Sequence, residues 1–220
     1  MTWSLASYSA AGARGFGVLR EDGALVAPPD LKRWPGPLDL LDCPISGSPG
    51  MVAPRLATTF ASGDPASVEE VSAVLDAISG PWIYTGAFGT GAKMKYVANL
   101  LLAVHTVAAA EAMALARHSG LDLGLVQKTL DDSIASSAIW KQRGPLMAER
   151  SWSPAPGPVR TLHPILEQIE DQAAKTGLSA SVFAAAKEVF DRALADGWGD
   201  LDIACVHDQV SGAPALGTPP

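Results

Sequence analysis

Lys95 and Asn99 stand four residues apart in the run Gly86-Ala-Phe-Gly89-Thr-Gly91-Ala-Lys-Met-Lys95-Tyr-Val-Ala-Asn99. On a helix that spacing puts an ammonium and an amide on one face, a turn apart. Such a pair can move a proton at a substrate oxygen and hold a neighbouring polar group. The glycines ahead of them let backbone approach a ligand closely, and the free N–H groups of a helix start favour an anion. Gly91 is followed by Ala92 rather than by Lys and Ser/Thr, so this is no phosphate loop of the Walker type and nucleotide hydrolysis is disfavoured. A strand-to-helix corner also needs glycines for geometry alone, so the run by itself leaves both uses open.

A second string, Asp42-Cys-Pro-Ile-Ser46-Gly47-Ser48, reads as a strand ending in small hydroxyl and glycine residues whose N–H groups could hold a carboxylate. Other candidates have plainer explanations. His163, Glu167 and Glu170 have helical spacing but match the charged face of a surface helix better than a metal site. His105 reads as a core histidine, and Ser133, Ser136 and Ser137 lack a histidine and an acid at the spacing of a hydrolase triad. Cys43 and Cys205 cannot form a disulfide framework and have no neighbouring Cys to suggest a metal knuckle, which fits a reducing cytoplasm. Trp140, Trp152 and Trp198 read as core or interface anchors.

Several elements must position these groups. Asp22-Gly23, between Val18-Leu19 and Leu25-Val26, signals a β-hairpin. Pro28, Pro29, Pro35 and Pro37 then form a connector that places a boundary near residue 41. Strands are expected over Leu41–Ile45, Ala57–Ala61 and Trp82–Thr85, with a helix from the Asp64-Pro65 cap to about Ser79. After Gly91 the pattern is helical: about 93–119, 123–137, 139–149, 161–176, 179–196 and a short one from Asp202. Gly120, Gly177 and Gly197 sit where helices stop. The organisation expected is a hairpin module and linker over 1–41, an α/β segment over 42–88, a helical domain over 89–210 and a disordered tail over 211–220.

Composition narrows the function classes. The 220 residues are 48% hydrophobic and 18% charged, with 16 Lys plus Arg against 23 Asp plus Glu and a formal net charge of -7. This is enough apolar content for a packed core, and it gives no basic footprint for nucleic acid. The first residues lack the cationic start and apolar run of a signal peptide. The most apolar stretch, Tyr96 to Ala116, carries Asn99, His105, Thr106 and Glu111 and reads as a buried helix, so no membrane partner is expected. Surplus apolar surface points to a homodimer or higher homo-oligomer.

Taken together, the two strings resemble in order and spacing those of the β-hydroxyacid dehydrogenases, which include 3-hydroxyisobutyrate dehydrogenase. The resemblance runs from Asp42 to about Val210 and takes in Thr59-Phe-Ala-Ser-Gly63-Asp64, Ala110-Glu-Ala-Met-Ala-Leu115, Gly120-Leu-Asp122 and Arg143-Gly-Pro-Leu-Met147. It implies a truncated Rossmann-like sheet followed by a 6-phosphogluconate-dehydrogenase-like C-terminal helical domain. It implies NAD or NADP as cofactor and a small hydroxy- or oxoacid as substrate. In site terms, Lys95 would be the general acid/base, Asn99 would orient the substrate, Ser46, Gly47 and Ser48 would grip its carboxylate, and Gly89 and Gly91 would approach the cofactor.

The chain departs from that family in three places. Gly12, Gly15 and Gly17 do not have the G-x-G-x-x-G spacing of a dinucleotide-binding turn. Thr161-Leu-His163-Pro164-Ile165-Leu166 stands where the family has a Lys-Asp pair, and Ser48 replaces a glycine. The opening Ser7–Val18 segment is similar, over a short stretch, to the N-terminal module of fumarylacetoacetate hydrolases, without that family's metal-binding carboxylates. Two expectations follow: a dehydrogenase with an incomplete dinucleotide half, or a catalytically silent binding or oligomerisation domain derived from one.

Overall fold

The computed structural model describes residues 41–212 together with the backbone of Ser4–Ala10, Ala13–Leu19 and Leu25–Val26. The Asp22-Gly23 turn, the proline-rich connector and the tail beyond Gly212 lie outside the described residues. The chain divides into two units, Met1–Leu40 and Leu41–Pro220. In the first, β1 (Ser4–Ala10), β2 (Ala13–Leu19) and β3 (Leu25–Val26) form an antiparallel meander, with Ser4 opposite Leu19 and Val18 opposite Val26. The strands on either side of Asp22-Gly23 pair as that dipeptide implies. The β1–β2 pairing adds a third strand to the expected hairpin.

The second unit starts with a three-stranded sheet of order β4-β5-β6: β4 (Ile45–Ser46), β5 (Thr58–Ser62) and β6 (Trp82–Gly86). β4 runs antiparallel to β5, with Ile45 opposite Thr59, and β6 runs parallel to it, with Phe60 opposite Ile83. The expected strand over 41–45 is narrower than its sequence suggested: two residues of ladder plus one bridge between Asp42 and Ser62. Pro44 has no N–H to give to a ladder, which limits the regular pairing there. A short α1 (Pro49–Val52) joins β4 to β5. The parallel crossover is two helices, α2 (Pro65–Glu70) and α3 (Ser72–Ile78), not one, because Val71 leaves helical geometry at φ −97°, ψ 6°. As its sequence implied, Asp64 caps α2, accepting from the Ser67 N–H at 3.0 Å.

The remainder is helical and surrounds α4 (Thr90–His118), against which α6 (Ala138–Glu149), α7 (Val159–Thr176), α8 (Ser181–Ala195) and α9 (Val206–Ser211) pack. α4 is long and apolar enough to cross a membrane, with a mean hydropathy of 1.5 over its best 18 residues. Here it serves as the core helix. Ala103, Ala110 and Ala114 keep its surface shallow enough for close packing, and Met113, Met147, Leu166, Phe190 and Val206 fill the space around it. α5 (Leu123–Leu130) stops seven residues short of the expected end at Ser137. The following serines compete for backbone groups instead: Ser133 Oγ donates to Leu130 O, and Ser137 Oγ caps α6 by accepting from Trp140 N. His105 is exposed rather than core, since the buried face of α4 runs through Ala103, Thr106, Val107 and Ala110.

Candidate active site between the sheet and the helical domain

The end of β5, the Asp42 bridge beside it and the start of α4 are bonded together by a small polar knot. Asp42 and Ser62 exchange backbone hydrogen bonds at 2.9 and 2.8 Å, and Ser62 Oγ donates to the Asp42 carboxylate at 3.1 Å. The first amides of α4 then close on the same groups: Gly91 N donates to Ser62 Oγ at 3.1 Å and Ala92 N to Asp42 Oδ2 at 2.7 Å. The positive end of a 29-residue helix thus meets a carboxylate supplied by the chain itself. A Cβ at Gly91 would lie 2.5 Å from Phe60 O and 2.8 Å from Asp42 O, so only glycine lets the helix come this close to the sheet.

This revises one part of the sequence reading. Gly91 was expected to approach the cofactor; it is buried against β5 and its N–H is already used. Gly89 caps the helix on its open side, where a Cβ would meet nothing within 4 Å.

The knot fixes the rotation of α4, and with it the direction of the next turns. Lys95 reaches under β4 and its Nζ donates to Ile45 O at 2.7 Å. Partial burial pushes its pKa below the ordinary lysine value, because desolvation penalises the charged form. Asn99, 8% exposed, lies one turn on, and its Nδ2 has no hydrogen-bond partner among the described residues. A buried amide donor left open beside a cavity is a group set to receive a ligand acceptor.

Lys95, Asn99, Ser46, Gly47 and Ser48 all line one cavity of about 380 Å³, so the five residues singled out for catalysis and substrate binding converge in space. Gly47 turns the chain at φ +147°, and a Cβ there would lie 2.9 Å from Ala57 Cβ, so glycine is required at 47. Ser48 has φ −80° and ψ 161°, ordinary extended geometry that any residue adopts; its replacement of a glycine does not re-aim the turn.

The facing wall was not legible beforehand. It includes Arg143 on α6, Thr161, Leu162 and Ile165 on α7, and Ile203. Arg143 is buried, with Nε 2.9 Å from Asp202 Oδ1 but without hydrogen-bond alignment. Asp202, fully buried, also accepts from Gly157 N at 2.9 Å and Ala204 N at 3.0 Å. A cation three residues after Trp140, on the buried face of α6, is the signal that could have marked it. At the place of the expected Lys-Asp pair, Leu162 and Ile165 present apolar surface to the cavity. The remaining candidates are structural: His163 Nε2 sits 2.8 Å from Asp191 Oδ1 between α7 and α8, and no cluster of metal-ligating side chains occurs among the described residues.

A glycine corner after the sheet and a lysine and an asparagine on the first turns of a core helix thus come together at one cavity, a candidate site for a small ligand. Residues 89–208 match the family model described as the NAD-binding domain of NADP-dependent 3-hydroxyisobutyrate dehydrogenase, and the chain belongs to that family. It is 32% identical over 173 residues to glyoxylate/succinic semialdehyde reductase 1 of Arabidopsis thaliana, covering 76% of this chain and 57% of that protein. Its fold is similar to that of 3-hydroxyisobutyrate dehydrogenase from Salmonella typhimurium, with a TM-score of 0.72 and 27% identity over 78% of this chain and 60% of that one. Mycobacterium tuberculosis 3-hydroxyisobutyrate dehydrogenase with L-serine matches at a TM-score of 0.70 and 25% identity, covering 77% and 60% respectively. The chain therefore spans somewhat under two thirds of the proteins it resembles.

The family's cofactor is NAD or NADP. The cavity beside Lys95, with its open Asn99 donor, fits the reacting end of such a molecule and a small acid. The pyrophosphate is another matter. The amides at the start of α4 are taken by Asp42 and Ser62, and Asp64 occupies the start of α2. Among the described residues no glycine turn opens a helix with free N–H groups to cradle it.

Proposed function

We propose that this chain carries the substrate half of a nicotinamide-dependent oxidoreductase acting on a small hydroxy- or oxoacid. The observation that carries the reading is the convergence of Lys95, Asn99 and the Ser46–Ser48 turn on one cavity. When bound, the nicotinamide supplies or accepts the hydride; this chain's residues handle the acid and the proton. Ser46, Gly47 and Ser48 grip the carboxylate through N–H and hydroxyl groups. The Asn99 amide donates to a substrate oxygen and sets its orientation. Lys95 exchanges the proton of the reacting hydroxyl, and its ammonium form stabilises negative charge on that oxygen during reduction. Its hydrogen bond to Ile45 O holds the Nζ on the cavity wall. Gly89, on the open side of the helix start, is the glycine that approaches the cofactor. The same reading places the protein in the cytoplasm as a homo-oligomer.

The test is Lys95→Ala, assayed with NADH and NADPH against a panel of small oxoacids. Turnover is expected to fall about 10²- to 10⁴-fold with the unfolding midpoint retained; unchanged turnover removes Lys95 from the mechanism. The pH profile supplies a second check. Reduction needs the ammonium form, so its rate falls as pH rises through the Lys95 pKa, and oxidation shows the opposite limb. Because that pKa is depressed, both limbs lie below the pH at which an ordinary lysine titrates.

One observation favours the second reading, an acid-binding domain without turnover: the internally satisfied start of α4. Titration with NADH and NADPH separates the two. Saturation at micromolar concentration supports the enzyme, and no binding at millimolar concentration supports the silent domain.

A further inference from the structure

The charge of the cavity is opposite to that of the molecule. The chain has a formal net charge of -7, yet the residues lining this cavity include two cations, Lys95 and Arg143, and no Asp or Glu. The two cations come from different walls. Lys95 sits near the start of α4 and touches the sheet; Arg143 comes from α6 and leans on Asp202 at the start of the Ile203–Cys205 turn.

Arg143 has donors to spare. Of its five N–H groups, Nε faces Asp202 at 2.9 Å and one Nη1 contact reaches Gln142 Oε1 at 3.4 Å; Nη2 has no hydrogen-bond partner among the described residues. The side chain is 9% exposed and lines the cavity. Asp202 is itself fixed by two backbone amides, so the charge that Arg143 pairs with stays in one place. Gly157 leaves the room: a Cβ there would lie 3.1 Å from Arg143 Nη2. An oriented, buried, half-used guanidinium matches the planar fork of a carboxylate.

We infer that the substrate is a hydroxy- or oxo-diacid, with one carboxylate on the Ser46–Ser48 turn and a second, several carbons away, on Arg143. The inference rests on the proposed acid site and extends it. Lys95, Asn99 and Leu102 line the cavity along α4 over seven helical steps, a rise of roughly 10 Å that leaves length along this wall for a short carbon chain. Leu102, Leu162 and Ile165 give the intervening methylenes an apolar wall. Arg143 is thus a specificity-determining residue, and Asp202 is its positioning residue.

The test is direct binding of unreactive probes to the whole protein by calorimetry: glutarate and adipate against valerate and hexanoate, which match them in carbon number. The diacids are expected to bind at least tenfold more tightly. Arg143→Lys should reduce that ratio. Arg143→Met combined with Asp202→Asn removes both buried charges together and should abolish the ratio, with the unfolding midpoint checking that the fold is kept. Equal binding of mono- and diacids by the unaltered protein overturns the diacid inference alone. So does a diacid preference that survives the double variant. Failure of every acid to bind overturns the acid site itself.

Discussion

Among the described residues, Ala61 of β5, Val68 of α2 and Leu75 of α3 form the buried apolar cluster of the sheet and its crossover, whereas twenty-one buried residues make up the core of the helical domain. The two regions nevertheless share one cavity. The helical domain is held by apolar burial around α4 and by charge pairs such as half-buried Arg150 to buried Asp208, joined there by the Trp152 indole N–H. The sheet depends on its polar connection to the start of α4 and leaves Ile83, Tyr84 and Phe88 exposed. The difference teaches that rigidity at this site comes from the helical side, and that the substrate turn is positioned by being fastened to it. A mobile Ser46–Ser48 turn would lose its aim, since preorganised contacts cannot be loose.

That contrast can be broken from either side. The largest expected effect is Phe190→Ala, which empties a fully buried aromatic site in the main core and should lower stability by about 3–5 kcal/mol, read as a fall in denaturation midpoint for the whole Leu41–Gly212 unit. Next comes Gly91→Ala. Its Cβ would meet two carbonyl oxygens inside 3 Å, so the sheet must part from α4 at a cost of about 1–3 kcal/mol. Hydrogen exchange should then accelerate at the Ser62 and Ala92 amides while the helical core keeps its protection. Uniform acceleration throughout would show the two regions to be one cooperative block. The smallest effect belongs to Ser48→Gly: the Ser48 side chain makes no capping hydrogen bond and its backbone is unstrained, so stability should move by no more than a few tenths of a kcal/mol in thermal melts.

The sequence was most informative where one short segment carries several functions at once. Gly86 to Asn99 has helical spacing, a glycine corner and two functional side chains within fourteen residues, and its Lys95 and Asn99 reach the cavity as expected. Asp42 to Ser48 was read as a substrate strand, and Ser46 to Ser48 do line the cavity. The extent of the strand was misread, because pairing depends on a partner that sequence does not display. Gly91 serves a purpose other than the one the sequence suggested. A glycine's purpose lies in what surrounds its missing Cβ, and those neighbours, Phe60 and Asp42, are distant in sequence. Arg143 carried only a weak local signal, since its importance lies in Asp202, 59 positions later.

What the residues alone determined is local: a helix long enough to hold a lysine and an asparagine a turn apart, a glycine-rich corner before it, and an apolar content suited to a packed core. These follow from periodicity and from the conformational limits of single residues. What only the tertiary structure decided is which groups face one another. The Asp42 carboxylate at the start of α4, the Lys95 contact under β4 and the Arg143–Asp202 pair all join residues more than forty positions apart. Contacts of that kind are set by how helices and strands pack, and packing is a property of the whole chain.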